Sequence, residues 1–365
     1  MPLTYLIDSE YHDTKTIENK LNSEGWINIK NKNWSDYNNR ATFMYLDGRN
    51  VFRKRYRFFT SLMKNTLKFT DLFTTNKWET YKMIMTQYPK NKFMPKTWLL
   101  DDFKQPVTKP YMVKPLGGFK GFSIYTVTNN EQLMTVKRKT SEGEIKKKMY
   151  KHLGLPKLLA RNQFKFIITE YIHPLLLNGK KFNLRCNVLI TDVDGQKTAY
   201  DTGIHKIIMG LERYDKKRIT DSSVSNIHYS GTAYDFPDGL KGRVTGISSD
   251  SAGMDRKSEQ KLISKIQKGV TSVLKKVCSV FLKKTNRYPA HRGGFCIMGC
   301  DLLIAENGNV YFIEINGCST GLTTRHHKNT NVADHLFTNV YNLVISPIVY
   351  DKKIKPSNMT VIARM

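Results

Sequence analysis

Apolar side chains recur along residues 257–284 at the spacing of a helix. Leu262, Ile263, Ile266, Val270, Val273, Leu274, Val277, Val280 and Phe281 form one stripe, and lysines line much of the rest. The pattern predicts a long amphipathic helix whose stripe is core. A shorter helix is predicted within TTNKWETYKMIMTQYP, ending before Pro89, with Trp78, Tyr81, Met85 and Tyr88 on one face and Lys82 interrupting it. A final helix is expected near 331–344. Strands are predicted at TWLLDDF, YMVKP, FSIYTV and FKFIITEYI, and a strand at 184–191 turns at Asp194-Gly195 into one near 198–209. Residues 212–256, rich in Ser, Gly, Asp and Thr, read as a long loop of the kind that often carries function.

The run 299–317, GCDLLIAENGNVYFIEING, reads as two strands joined at Asn307-Gly308. That dipeptide suits a type I′ turn, where both central residues take positive φ. A two-residue turn places Glu306 opposite Asn309, Leu303 opposite Phe312 and Asp301 opposite Glu314. Like charges directly opposite destabilise a ladder. A cation between them relieves the strain, and oxygen ligands of this kind suit Mg²⁺. Asn316, two residues past Glu314, lies on the same face opposite Gly299, which leaves room. The expectation is a metal site of Asp301, Glu314 and Asn316. The simpler alternative is a hairpin whose acids face water.

These elements divide into a mixed α/β unit over 1–105, a second unit over 106–172, a third over 173–348 and a basic tail over 349–365. The fold class is α+β or α/β. No internal repeat is present.

Composition narrows the partners. The chain has 365 residues, with 59 Lys+Arg against 31 Asp+Glu, a formal charge of +28. Such a balance favours a polyanionic partner: nucleic acid, nucleotide phosphates, an acidic protein tail or an anionic membrane surface. A lysine-rich coding bias is the bland alternative. No apolar run is long enough for a membrane span, and the N-terminus does not read as a secretory signal. Five cysteines without a CxxC pair point away from a disulfide framework and toward a reducing, cytoplasmic setting.

Two further segments could carry chemistry. VKPLGGFKGFSIY, 113–125, is a strand, a glycine-rich turn with lysines and a second strand. Glycines allow close approach to phosphate oxygens and lysine supplies counter-charge, although a plain glycine hairpin looks the same. It is not a P-loop. In ITEYIHPLLLNGKKFNLRCNVLI, 168–190, an apolar strand ends in backbone groups able to read an adenine edge. Lys181 and Arg185 follow in a strand built for burial. A buried arginine needs an anion, either a ligand or a structural partner. The basic clusters 137–139 and 146–148 read as solvated faces. His205, His228, His291, His326 and His327 read as loop or surface residues, and no Ser/His/Asp or Cys/His arrangement stands out.

In that order, VKP-x-GG-x-KG-x-SI, TEYIHPLLLNGKKFNLR and GCDLLI…FIEING resemble the tubulin–tyrosine ligase-like branch of the ATP-grasp superfamily, over roughly residues 65–330. The resemblance implies two α+β subdomains gripping ATP, preceded by a small α/β domain. It implies that Lys114 contacts ATP phosphates, with Lys120 and Gly121 in the small glycine-rich loop. Glu170, Tyr171 and Ile172 match the segment that holds adenine. Arg185 matches an arginine on phosphate or the reacting acyl group. Asp301, Glu314 and Asn316 match the magnesium ligands.

Three positions depart from the family pattern. Asn183 stands where the family has Asp. Lys206 stands where it has Arg, and a two-residue turn at Asp194-Gly195 would set Lys206 opposite Asn183. VSNIHYSG replaces a His-Leu-Thr-Asn stretch, with Asn226 and Ser225 as the matching residues. The activity implied is an ATP- and Mg²⁺-dependent ligase that joins a free amino acid to a protein carboxylate through an acylphosphate. Its acceptor would be an acidic tail, tubulin or tubulin-like. The alternatives are a kinase acting on a hydroxyl, motivated by Asn183, and a non-catalytic binder of an acidic polymer, nucleic acid or microtubules.

Overall fold

The computed structural model describes residues 2–8, 14–30, 32, 36, 40–46, 60–65, 77–116, 124–141, 165–216, 219, 233–242, 244–245, 255–284, 292–316, 331–352 and 358–365. The first third holds β1 (Thr4–Asp8), α1 (Lys15–Ser23), β2 (Ile27–Asn28), β3 (Arg40–Leu46), β4 (Thr60–Asn65), α2 (Lys77–Gln87), β5 (Thr97–Leu99) and β6 (Tyr111–Pro115). Next come β7 (Tyr125–Val127), α3 (Asn130–Ser141), β8 (Phe166–Glu170), β9 (Leu176–Leu177), β10 (Lys180–Val193), β11 (Gln196–Arg213), β12 (Ala233–Asp235) and β13 (Val244–Thr245). The rest is α4 (Arg256–Lys284), β14 (Gly293–Ile304), β15 (Val310–Asn316), α5 (Asn331–Val340), a π-helical turn Tyr341–Ile345, α6 (Ser346–Tyr350) and β16 (Thr360–Arg364).

Two sheets form. The smaller runs β5-β8-β6-β7, with Leu133 and Val136 of α3 in its core beside Val113 and Ile168. The larger has twelve strands along the path β12-β11-β10-β14-β4-β3-β1-β2, with β15 paired to β14 and β16 to β11. Thus N-terminal β4 lies directly against C-terminal β14, parallel, with Met63 opposite Gly293. Strand β5, which precedes residue 105, belongs to the smaller sheet.

One core explains α4. Ile263, Ile266, Val270, Leu274, Val277 and Phe281 pack on Leu184, Cys186, Val188, Cys300 and Leu302 of β10 and β14. Contact is close: a Cβ at Gly269 would sit 2.7 Å from Val310 Cγ2. On the other face, Phe43 and Tyr45 stack at 5.8 Å on Phe295, and Tyr45 meets Phe337 edge-on. The π-helical turn and α6 are pinned to the N-terminal unit, because Tyr341 and Tyr350 hydroxyls donate to Glu24 at 2.6 and 2.9 Å.

Several expectations change. In α2 the buried side chains are Thr80 and Ile84, while Trp78 and Tyr81 stack on each other at 5.4 Å. A face of aromatic residues is therefore half-exposed, and smaller side chains make the tight contact. The stretch 212–256 is not loop throughout: it supplies β12 and β13, which pair with β11 and β9. The basic tail ends in β16, hydrogen-bonded to β11. Four cysteines, Cys186, Cys278, Cys296 and Cys300, are buried free thiols, and Cys318 lies outside the described residues. No helix among the described residues is long and apolar enough to cross a membrane.

Candidate active site

Side chains alternate along β10. Leu184, Cys186 and Val188 face α4, so Asn183, Arg185 and Asn187 face the other way. On that second face one register line crosses four strands: Lys206 of β11, Arg185 of β10, Asp301 of β14 and Glu314 of β15. Arg185 grips Asp301 with a fork, Nε to Oδ1 at 2.7 Å and Nη2 to Oδ2 at 2.8 Å. Both side chains are buried, at 6% and 3% exposure. Burial pulls the guanidinium pKa down, but the charge and hydrogen bonds of Asp301 outweigh it and the net shift is upward. The anion demanded by a buried arginine is thus, in this structure, Asp301.

Lys206 stands opposite Arg185, whereas counting from the turn set it opposite Asn183; Asn183 is buried opposite Ile208. The turn itself is as counted, with Val193 paired to Gln196 and both Asp194 and Gly195 at positive φ. The register moves between Cys186 and Val188, where β11 carries an irregularity. Gly203 sits there at φ 68°. Side chains latch it: Asn187 Nδ2 donates to Ile204 O at 2.9 Å, Thr202 Oγ1 to Asn187 O at 2.8 Å, and Gly203 N–H to Asp201 Oδ1 at 2.8 Å. His205 is buried, not superficial, and its Nε2 lies 3.2 Å from Asp201.

Two offsets shape the hairpin. Its loop is one residue longer than counted: Ala305 N–H donates to Asn309 O, Gly308 N–H to Ala305 O, and of Asn307-Gly308 only Gly308 takes positive φ. Leu302, not Leu303, therefore faces Phe312, and the Glu306–Asn309 pairing is lost. A second shift between Asp301 and Leu302 restores Asp301 opposite Glu314 and Gly299 opposite Asn316. That bulge also separates Phe312 from Glu314. Although two apart, Phe312 enters the α4 core and Glu314 turns to the polar face. Lys265 of α4 holds the loop by donating to Asn307 O at 2.6 Å.

Cations surround Glu314. Lys77 Nζ, at the start of α2, is 3.2 Å from its Oε2. Burial pushes the Glu314 pKa up, but Lys77, Lys114 and Arg185 together bring it below the ordinary value. Lys114, on β6 of the smaller sheet, is buried and pushed down to about 8 by burial, against the opposing pull of Glu314. Lys181 is likewise lowered to about 8, by burial and then by Lys114. The two sheets meet at this charge cluster.

At the end of β8, Glu170 N–H donates to Lys96 O and Tyr171 N–H to Pro110 O, and among the described residues Ile172 N–H has no such backbone partner. Lys109 holds the Glu170 carboxylate at 2.7 Å. Tyr171 meets His173 edge-on, and His173 Nδ1 lies 3.0 Å from Tyr214 OH. Lys120, Gly121, Ser225, Asn226, His228, His291, His326, His327 and the side chain of Asn316 lie outside the described residues.

The donor set fits Mg²⁺. Asp301 presents two carboxylate oxygens, each accepting an N–H from Arg185, and a carboxylate oxygen carries two lone pairs. Glu314 adds a carboxylate on the same register line, and the backbone of Asn316 stands opposite Gly299. Hard oxygens in this number suit a cation that keeps part of its hydration. Among the described residues no group of three or more His, Cys, Asp or Glu could hold a metal ion, so this site offers two acids and an amide. Sequence reasoning missed Lys77 because nothing local marks it: its partner Glu314 is far along the chain.

The two sheets and the charged line where they meet define an ATP-grasp fold. The same fold is seen in the crystal structure of the C-terminal domain of K. lactis Pby1, an ATP-grasp enzyme interacting with the mRNA decapping enzyme Dcp2. That match has TM-score 0.61 and 13% identity, and covers 100% of this chain and 99% of that one. The chain belongs to the tubulin-tyrosine ligase family, which it matches over residues 19–354. It is 24% identical over 276 residues to the probable alpha-tubulin polyglutamylase Ttll1 of Tetrahymena thermophila, a match covering 69% of this chain and 60% of the relative. It is 22% identical to the protein polyglycylase TTLL10 of Rattus norvegicus, over 62% of this chain and 34% of the relative. It is 23% identical to the probable tubulin polyglutamylase ttll-9 of Caenorhabditis elegans, over 62% and 49%. The chain thus spans between about a third and three fifths of the length of these relatives.

Proposed function

We propose that the protein is an ATP- and Mg²⁺-dependent ligase that joins an amino acid to a carboxylate of tubulin or a tubulin-like acidic tail. The observation that carries this reading is the line Lys206–Arg185–Asp301–Glu314 with Lys77 and Lys114 beside it. Two acids on neighbouring strands offer ligands for a metal-bound triphosphate, and the cations around them suit the charge of a phosphoryl group in transfer. The relatives' names attach glutamate or glycine to proteins, which supports amide formation, and a charge of +28 suits an acidic acceptor.

Asp301, Glu314 and Asn316 would hold Mg²⁺, which when bound neutralises phosphate charge. Lys114 and Lys77 would bind phosphate oxygens, with Lys120 and Gly121 closing over them. Ile172 N–H and the carbonyls of 170–172 would read adenine, because the N–H groups of Glu170 and Tyr171 are already engaged. Asn226 would contribute to nucleotide binding. An acceptor carboxylate oxygen attacks the terminal phosphoryl and the bond to ADP breaks. The amine nitrogen of the amino acid then forms the C–N bond, the C–O bond to phosphate breaks and the amine proton passes to solvent. Arg185 and Lys206 would stabilise the acyl-phosphate oxygens, and buried Asn183 would orient the acceptor by hydrogen bonding. Lysine at 206 supplies charge without the arginine fork.

The test is mass spectrometry of tubulin incubated with the protein, Mg-ATP and a mixture of amino acids. An amino-acid adduct is expected. A phosphate adduct without amide would overturn the ligase reading.

A further inference from the structure

α4 carries a feature that ATP chemistry does not use. At 100° per residue its outward sector, about 100° wide, holds ten positions: Lys257, Lys261, Lys265, Lys268, Lys275, Lys276 and Lys283, and otherwise Ser258, Ser272 and Ser279. The row covers about 39 Å at 1.5 Å per residue. The helix's one acid, Glu259, lies on another side and accepts the Gly242 N–H at 2.8 Å. Among the described residues none of the seven lysines pairs with a carboxylate. Lys265 instead holds Asn307 O, and Lys276 lies over the Phe93 ring. Lysines at i,i+3 and i,i+4 without interposed acids destabilise a helix. A solvated face gains nothing from that arrangement, and a bound polyanion relieves it.

We propose that this lysine ribbon is a docking rail for an acidic polypeptide, a glutamate-rich stretch of the acceptor or of the chain built on it. This rests on the ligase reading for the substrate class. The rail lies across the sheet from the reacting groups, since α4 packs on Leu184, Cys186 and Leu302 while Arg185 and Asp301 point the other way. It therefore holds a different segment from the one being modified.

Geometry favours a peptide. Same-face carboxylates of an extended chain recur about every 6.8 Å, close to the roughly 6 Å between Lys257, Lys261 and Lys265. Single-stranded nucleic acid would need aromatic platforms, and the sector holds only lysine and serine. A nucleic-acid duplex completes a turn in about 34–36 Å, so a straight 39 Å row follows one strand only in part. A membrane would need exposed apolar side chains, and those of α4 are in the core.

The probe is a labelled peptide of about a dozen glutamates, long enough to run the row, measured by fluorescence anisotropy on the full chain at low and high salt. K257E/K261E/K268E/K275E is compared with K32E/K104E/K139E/K165E, which makes the same change of net charge at exposed sites elsewhere. Salt-sensitive binding is expected to weaken about tenfold or more in the first variant and no more than about twofold in the second. Both should keep the wild-type thermal shift with Mg-ATP. Equal losses in the two variants, unchanged binding in the first, or tighter binding of an RNA duplex through the same four lysines would overturn the proposal. Turnover is not read, so a chain that binds the peptide but makes no amide sinks the ligase reading and leaves the rail standing.

Discussion

Arg185 and Asp301 face each other across β10 and β14 and are joined at two points, 2.7 and 2.8 Å, with almost no solvent access. A buried pair of this kind adds little net stability over an apolar pair, but removing one partner strands the other charge.

Asp301→Asn should therefore cost about 3–5 kcal/mol, measured by urea unfolding. The double variant Asp301→Asn/Arg185→Met should recover part of that loss. A double variant no more stable than Asp301→Asn would show that the fork is not the source of the cost.

Glu314 is less enclosed than Asp301 and is balanced by several cations. Glu314→Gln should lower stability by roughly 1 kcal/mol, in the range of partly exposed pairs, while abolishing ATP turnover. Wild-type-like turnover in a folded Glu314→Gln protein would remove this carboxylate from the chemistry.

The latch on β11 sets which cation meets Arg185. Asn187→Ala removes the bond to Ile204 O and Thr202→Val the bond to Asn187 O. Each should cost on the order of 1–2 kcal/mol of stability. Because Lys206 leaves its line, each should also lower turnover about tenfold or more. Equal losses in a variant of the Asp194-Gly195 turn, which leaves that register alone, would argue against a positional role.

Lys114 gives a pH signature. Burial lowers its pKa from the ordinary 10.5 to about 8, Glu314 opposing. Below about pH 8 the folded and unfolded chains both carry the proton, and folding buries a charge. Between about 8 and 10.5 only the unfolded chain keeps it, so stability from this group rises with pH. Without nucleotide or metal, Lys114→Met should melt a few degrees above wild type near pH 7.5. The gap should close toward pH 10. A gap constant across that range would deny the lysine its depressed pKa.

Much of this was legible in the chain. The long stripe of α4 and the hairpin acids are set by local spacing, and local spacing is what a sequence displays. Asp301 met Glu314 as counted, yet through a longer turn and a bulge that compensate. Lys206 was misplaced because the shift on β11 depends on Asn187, on another strand. Neither Lys77 nor the half-exposed face of α2 was readable, because both are decided by packing against distant segments.

The join of β4 to β14 has a consequence for synthesis. Met63 pairs with Gly293, about 230 residues later. At about 5–20 residues per second, the N-terminal strands wait on the order of 10–50 s with one edge open. A ribosome-bound chain is exposed throughout that interval to pairing with its neighbours. Folding of this protein is thus gated by its last third, and any chain terminated before β14 leaves that edge permanently uncovered.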